Sequence, residues 1–308
     1  MFIEPSWNAL VDRLKGMAAK RIYVTGEPDS GKTTLARFLC ETFSVLKPTA
    51  FIDCDPGQSA LHLPTTLSAG FYAQGSKEPQ TVVSRFVGDI SPQRKQTTIL
   101  LSLYRLAEKM SDAGAECMIF DSSGFVKGAA GLEFQTAVIE MLHPDVVILL
   151  NHNDETDPLE LVLQKFGSFV IEKIPVSQAI RPRSMPLRRE KRENKYREYF
   201  QKSEIKVLDV NHLALCGSLP ERFTVQNMRG RLLAFCDKEK FVIAMGIARS
   251  FYGNDKICIC QIPDFDLANA AFLHFGDIFV NAQFKEELPG KRQTTKDKKD
   301  LKYENDRI

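Results

Sequence analysis

No apolar run in this 308-residue chain approaches the roughly 20 residues that cross a bilayer. The longest, DVVILL at residues 145–150, is strand-sized, so no membrane partner is expected. The stretch MFIEPSWNALVDRLKGMAAKR lacks a basic start followed by an apolar core, which predicts a chain without a signal peptide. Cysteine is sparse: seven are scattered as singles, apart from Cys258 and Cys260. An odd number without a framework excludes a disulfide-stapled scaffold and points to a reducing, cytoplasmic location. Cys258 and Cys260 alternate with Ile257, Ile259 and Gln261 as a strand does, and no His/Cys pair nearby completes a zinc site. There is no internal repeat. The formal net charge of +2 says little about partners, but its distribution says more. Residues 181–202, RPRSMPLRREKRENKYREYFQK, concentrate nine basic side chains, and residues 290–308 form a charged tail expected to be disordered.

What is present reads as alternating strands and helices. Residues 7–19, 32–43, 92–113 and 132–142 have helical spacing; in the third, Ile99, Leu103, Leu106 and Met110 share one face. Residues 21–25, 49–53, 81–87, 116–121, 145–150 and 168–174 read as strands. Strands separated by helices predict an α/β fold with a mostly parallel, doubly wound sheet. From about residue 205 the pattern turns β-like, with Asp-Lys, Gly-Asn-Asp and Pro-Asp turn signals. The expected organisation is a domain over 1–204 that includes a lid segment at 181–202, a small β-rich domain over 205–289, and the tail.

Gly26-Glu27-Pro28-Asp29-Ser30-Gly31-Lys32-Thr33 matches G-x-x-x-x-G-K-[ST] between a strand and a helix, with Thr34 following. Such a P-loop wraps a polyphosphate in backbone N–H groups at a helix N-terminus. Lys32 would neutralise β/γ oxygens and the Thr33 hydroxyl would hold Mg2+. The bland alternative is a helix-capping turn with an exposed lysine.

Two further strands end where such a ligand would sit, beyond the carboxyl ends of the sheet. FIDCDPGQ supplies Asp53 and Asp55: one carboxylate can support Mg2+ or its waters, and the other can accept the proton of an attacking hydroxyl. Asp53 could instead cap the turn begun by Pro56-Gly57. IFDSSGFVKG supplies Asp121, Ser122, Ser123, Gly124, Phe125 and Lys127; hydroxyls and glycine N–H groups can hold a phosphate, and Phe125 offers a face for a base or a side chain for the core. The same loop is like the D-x-x-G of GTPases. In the basic segment Ser184 and Pro186 suit a helix start, and Arg189 with Glu193, or Glu193 with Arg197, can pair at i,i+4. A solvated charged helix is the common meaning of such a run; arginines that close over a moving phosphoryl group are the competing one.

Taken together, GEPDSGKTTL, FIDCDPGQSALHLPTTLS, RFVGDISPQ, DSSGFVKGAAGLEFQTAVIEMLHPDVVILL and the arginine segment resemble the RNA polynucleotide 5′-hydroxyl kinases. That family includes the kinase subunit of the pre-mRNA cleavage machinery, pre-rRNA processing kinases and shorter prokaryotic relatives, which this chain resembles in length. The resemblance implies transfer of the γ-phosphate of ATP, with Mg2+, to the 5′-hydroxyl of RNA and often DNA. It implies that Lys32 and Thr33 serve phosphate and metal, that Asp55 is the general base with Asp53 as a neighbouring acid, and that Ser122, Gly124 and Phe125 form a clasp on nucleic acid. Gln58 and Lys127 are placed beside that clasp. Arg183 and Arg188 match the lid arginines, with the same five-residue step. Clasp threonine and tryptophan of eukaryotic members stand here as Ser122 and Phe125. The rival readings are a P-loop ATPase or GTPase switch, against which stands the lack of a clear guanine-selecting N/T-K-x-D at NHNDE (151–155), and a silent RNA-binding scaffold.

Overall fold

The computed structural model describes residues 4–151, 157–177 and 181–287. Its first half runs α1 (Pro5–Gly16), β1 (Arg21–Gly26), α2 (Lys32–Ser44), β2 (Thr49–Asp53), β3 (Thr66–Tyr72), β4 (Thr81–Phe86), α3 (Gln96–Asp112), β5 (Cys117–Asp121), α4 (Gly128–Leu142), β6 (Val146–Asn151), α5 (Asp157–Phe166) and β7 (Val170–Pro175). The strands form one sheet in the order β4-β3-β2-β5-β1-β6-β7. β2, β5, β1, β6 and β7 are parallel, and β3 and β4 add to the β2 edge antiparallel. The central strands are apolar runs buried along nearly their whole length, as strands covered on both faces by helices must be. α2 and α1 cover one face, where the Trp7 and Phe38 rings lie 5.4 Å apart. α3 and α4 cover the other, with Ile99, Leu103, Leu106 and Met110 all buried.

The second half starts with α6 (Met185–Phe200) and continues with β8 (Glu204–Asp209), β9 (Ala214–Gly217), α7 (Val225–Met228), β10 (Arg231–Cys236), β11 (Val242–Tyr252), β12 (Ile257–Ile262), β13 (Phe272–Val280) and β14 (Glu286–Glu287). They form a second sheet, β14-β13-β10-β11-β12-β8, with β9 parallel to β13. Cys258 and Cys260 face the core of this sheet, and all seven cysteines are free thiols.

Three differences from the sequence reading have simple causes. β3, TLSAGFY, was not expected: its small residues and glycine hide the strand alternation. The long helix predicted from residue 92 starts at Gln96, after a short 3-10 turn over Pro92–Arg94. α6, expected with the first domain, bonds that half through Arg188 and Lys195 and in addition buries Tyr196 and Phe200 in a cluster with Leu232, Ala234 and Met245 of the second sheet, a contact the sequence reading did not include. Leu63 and Phe86 of the first half join the same cluster. Residues 288–308, including the predicted tail, and most of NHNDE lie outside the described residues. No helix among the described residues is long and apolar enough to cross a membrane.

Candidate active site

The parallel order brings three strand ends together. β1 ends at Gly26, β5 at Asp121 and β2 at Asp53, and Asp53 lies in register with Asp121. The loop after β1 turns into α2 through Asp29 at φ 59° and Gly31 at φ 95°, left-handed values that explain the glycine. Gly31 is the N-cap of α2 and no side chain caps it, so the helix presents its first N–H groups to the cleft. Lys32 folds back over the loop, its Nζ donating to the carbonyls of Gly26 at 2.9 Å and Glu27 at 2.6 Å. Burial lowers its pKa, against the charges of Asp121, Asp55 and Asp29.

A cleft of about 950 Å³ opens over this corner. Of the sequence-predicted residues, Pro28, Asp29, Gly31, Lys32, Thr33, Thr34, Asp55, Gln58, Ser122, Gly124, Phe125, Arg183 and Arg188 line it. Asp55 Oδ1 accepts from Gly57 N at 2.8 Å and Gln58 N at 3.1 Å, and among the described residues Oδ2 has no hydrogen-bond partner. Burial raises the Asp55 pKa, against the loop N–H bonds and the Lys32 charge. Phe125 is half-buried: it packs on Phe134, 5.8 Å between ring centroids, and still borders the cleft. A Cβ on Gly124 would fall within 2.9 Å of Pro28, so only glycine lets the 121–125 loop sit on the P-loop. Gln135 of α4 fixes that loop: its Nε2 donates to the Phe125 carbonyl at 3.1 Å while its Oε1 accepts from Tyr23 and Thr25.

Arg183 and Arg188 reach the P-loop from the other side. The Arg183 backbone N–H donates to Asp29 Oδ2 at 2.7 Å, and the Arg188 guanidinium pairs with the same oxygen at 2.6 Å. Ser184 caps α6, accepting from Leu187 N.

Other predicted residues stand apart from the cleft. Gly26 and Ser30 form the buried underside of the loop. Lys127, expected beside the clasp, does not line the cleft; it pairs with Glu27 of the P-loop at 2.5 Å. Asp53 was expected to support a metal. It is buried, and its Oδ2 accepts from Ser59 Oγ at 2.9 Å and Ala60 N at 2.5 Å while Oδ1 accepts from Asp55 N. These bonds commit it to the turn that carries Asp55, the alternative that the sequence had left open. Burial raises its pKa to about 6.

The carboxylate that does face the P-loop is Asp121, which sequence reasoning quoted but left out of the site. It lies near the Thr33 side chain, and burial, with the Asp53 charge second, raises its pKa to about 7. Its Oδ1 is buried without a hydrogen-bond partner, as are Ser30 Oγ and Ser123 Oγ. No cluster of three His, Cys, Asp or Glu side chains able to hold a metal occurs among the described residues. A divalent cation here would therefore take most of its oxygens from phosphate and water, as Mg2+ does in phosphotransferases. The orphaned carboxylate oxygen and the neighbouring Thr33 hydroxyl fit that arrangement. The signal for Asp121 was available: like Asp53, it is an aspartate at a strand end. Also missed were Arg37, Lys191 and Lys195, which line the cleft, and the wall at Ile90, Ser91 and Pro92. Buried Asp89 shapes that wall by accepting from Ser91 N and bidentately from Arg94.

The polyribonucleotide 5′-hydroxyl-kinase of Pyrococcus furiosus is 29% identical over 202 residues, 64% of this chain and 55% of the relative. That of Methanocaldococcus jannaschii is 30% identical over 203 residues, again 64% and 55%. That of Pyrococcus abyssi is 25% identical over 324 residues, 86% and 89%. The match thus spans about half the length of two of these curated relatives. A solved wild-type Clp1p–Pcf11p complex has the same fold, with a TM-score of 0.71 at 16% identity over 89% of this chain and 79% of that one. The family model described as mRNA cleavage and polyadenylation factor CLP1 P-loop matches residues 26–202, more than half of the chain, and the chain belongs to that family.

Proposed function

We propose that this protein transfers the γ-phosphoryl group of ATP to the 5′-hydroxyl of a polynucleotide, RNA first and DNA as a second acceptor. The observation that carries the reading is the meeting of Asp55 with Lys32, Thr33, Arg183 and Arg188 on one cleft. A nucleotide switch has no use for a carboxylate free at one oxygen in that place; a phosphotransferase does. Its relatives named polyribonucleotide 5′-hydroxyl-kinases support the same reading.

The geometry supports the following roles. The N–H groups at the start of α2 and the Lys32 ammonium receive the β- and γ-phosphates. Thr33 and Asp121 would hold Mg2+, which when bound neutralises phosphate charge. Asp55, its pKa raised by burial, takes the proton of the 5′-hydroxyl as the new O–P bond forms and the bond to ADP breaks. Arg183 and Arg188 stabilise the charge on the moving phosphoryl group. The clasp residues Ser122, Gly124 and Phe125, with Gln58, hold the terminal nucleotide.

Labelled ATP with short 5′-hydroxyl RNA and DNA tests this. Asp55→Asn is expected to lower kcat by about 10²–10⁴-fold while leaving ATP binding largely intact. Lys32→Ala is expected to abolish labelling. Full transfer by Asp55→Asn removes the base role, and wild-type protein that binds ATP but labels no acceptor overturns the kinase reading in favour of a switch or a scaffold.

A further inference from the structure

The cleft carries a second cationic cluster that the transfer of a phosphoryl group does not use. Arg37 lies four residues beyond Thr33 on α2, hence on the same helix face, about 6 Å further from the phosphate end. On α6, Arg188 and Lys195 are seven residues apart, also one face, and separated by about 10 Å along the axis. Both stripes line the cleft, and their far ends converge on the loop at 59–62. There the Lys195 Nζ donates to the carbonyls of Ser59 at 2.6 Å and His62 at 3.0 Å, and Arg37 donates to that of Ala60 at 3.2 Å. Those bonds leave Lys195 one N–H and Arg37 most of its guanidinium donors.

Neither side chain forms an ion pair among the described residues, although Arg188 and Arg192 on the same helix both do. Two acids act on Lys195 from nearby: buried Asp53, whose oxygens are bonded into its own loop, acts more strongly than Arg37 does, and Glu198 more weakly, yet neither forms an ion pair with Lys195 or Arg37. Burial and the Lys195 charge together hold His62 down to about 4, so the imidazole adds no charge of its own near neutral pH. Two cations without an ion pair thus border one cleft, Lys195 offset in part by an Asp53 carboxylate that is buried behind it, and their unused donors are open to an anion. The loop under them starts at Asp55 and passes Gln58, so the pair lies on the side of the acceptor, away from the P-loop.

We infer that Arg37 and Lys195 form a phosphodiester subsite that takes the phosphate joining the first two nucleotides of the acceptor strand. This rests on the kinase reading and makes it narrower: the preferred acceptor carries a phosphate on the 3′ side of its terminal nucleotide, and a free nucleoside is a poor one. The pair recognises charge and not base, so the selection is independent of sequence.

Steady-state labelling with three acceptors tests it: a nucleoside, a 5′-hydroxyl dinucleotide with one phosphodiester, and a 5′-hydroxyl decamer. Arg37→Ala is the informative variant, because its one hydrogen bond is long and its side chain is exposed. It is expected to raise KM for dinucleotide and decamer about tenfold or more, with kcat at saturating acceptor and KM for ATP retained. The slope of decamer affinity against salt should fall by about one charge. Arg37→Lys should restore part of the loss, and Lys15→Ala, exposed and outside the cleft, should match wild type. Wild-type KM and salt slope in Arg37→Ala overturn the subsite while wild-type labelling keeps the kinase reading. Wild-type protein that labels no acceptor overturns both.

Discussion

Asp53 and Asp121 sit side by side across two parallel strands, both buried, in a place where one negative charge hinders the other. Burial sets the direction and the neighbour adds to it, so both carboxyls hold protons to a higher pH in the folded chain than in the unfolded one. The folded state then binds more protons, and stability from these groups is present near pH 4 and declines as pH rises through about 6 and about 7. Each unit of upward displacement costs about 1.4 kcal/mol once the group ionises. Asp121→Asn is therefore expected to gain thermal stability relative to wild type as pH rises from 5 to 8, measured without nucleotide. A difference that does not change with pH would refute the assignment. The wild-type penalty has a use, since a cation at Asp121 is favoured where its carboxylate is otherwise poorly compensated. At this scale the sequence was legible where chemistry is local. The P-loop stood out because its spacing defines it, while spacing placed Asp53 and Asp55 together and only the family resemblance told them apart. Asp53 and Asp121 were both visible as strand-terminal aspartates, but which one faces the phosphates depends on how the loop at 55–61 folds back to bond Asp53, and no pattern within either strand encodes that.

The helix proposed as a lid, α6, is rooted in the core at its C-terminal end. The C-terminal half of α6 is rooted by buried Tyr196 and Phe200, by the bidentate Arg192–Glu286 pair and by Lys195 on the 59–62 loop. Its first turns expose Met185 and Leu187, and the side chain that ties them to the P-loop is Asp29. An incoming triphosphate offers Arg188 a stronger anionic partner than Asp29 does, so the same arginine can be held before the reaction and used during it. Asp29→Ala should loosen this end: trypsin is expected to cut at Arg183 and Arg188 several-fold faster in the nucleotide-free variant, and a non-hydrolysable ATP analogue should restore protection. Equal cleavage of variant and wild type would show that Asp29 does not hold the lid. The helix and its cap at Ser184 were readable from the sequence, as was the Arg189–Glu193 pair, observed at 2.8 Å. The companion pair of Glu193 with Arg197 does not form, because Glu193 also accepts from Glu286 N and Arg197 turns to Asn194. Those competitors come from a strand more than ninety residues away and from a neighbouring turn, which i,i+4 counting does not see.

Over the whole molecule, the two sheets do not stand as independent units. Lys95 pairs with Asp277 at 2.7 Å, Lys109 with Glu239 at 2.9 Å, and the Arg85 guanidinium donates to the Glu239 carbonyl at 2.6 Å. Beneath these polar links lies the cluster in which Leu63 and Phe86 of the first half meet Tyr196, Phe200, Leu232 and Met245. The exposed ion pairs contribute little each, so the apolar cluster decides the coupling. It also positions the lid, since α6 enters it with its last two turns. Sequence patterning predicted both sheets and placed this helix with the first domain; that it also packs on the second sheet through Tyr196 and Phe200 is a tertiary contact that chain order does not encode. Phe200→Ala is expected to destabilise the protein by about 3–5 kcal/mol. Because the cluster is shared, the loss should lower a single cooperative melting transition, followed both by circular dichroism and by loss of ATP binding. The variant should also label acceptor more slowly at temperatures where it is still folded, since the root of Arg188 and Lys195 is slackened. Two separate transitions, with ATP binding lost only in the unshifted one, would show that the sheets melt independently and that the lid is not anchored through Phe200.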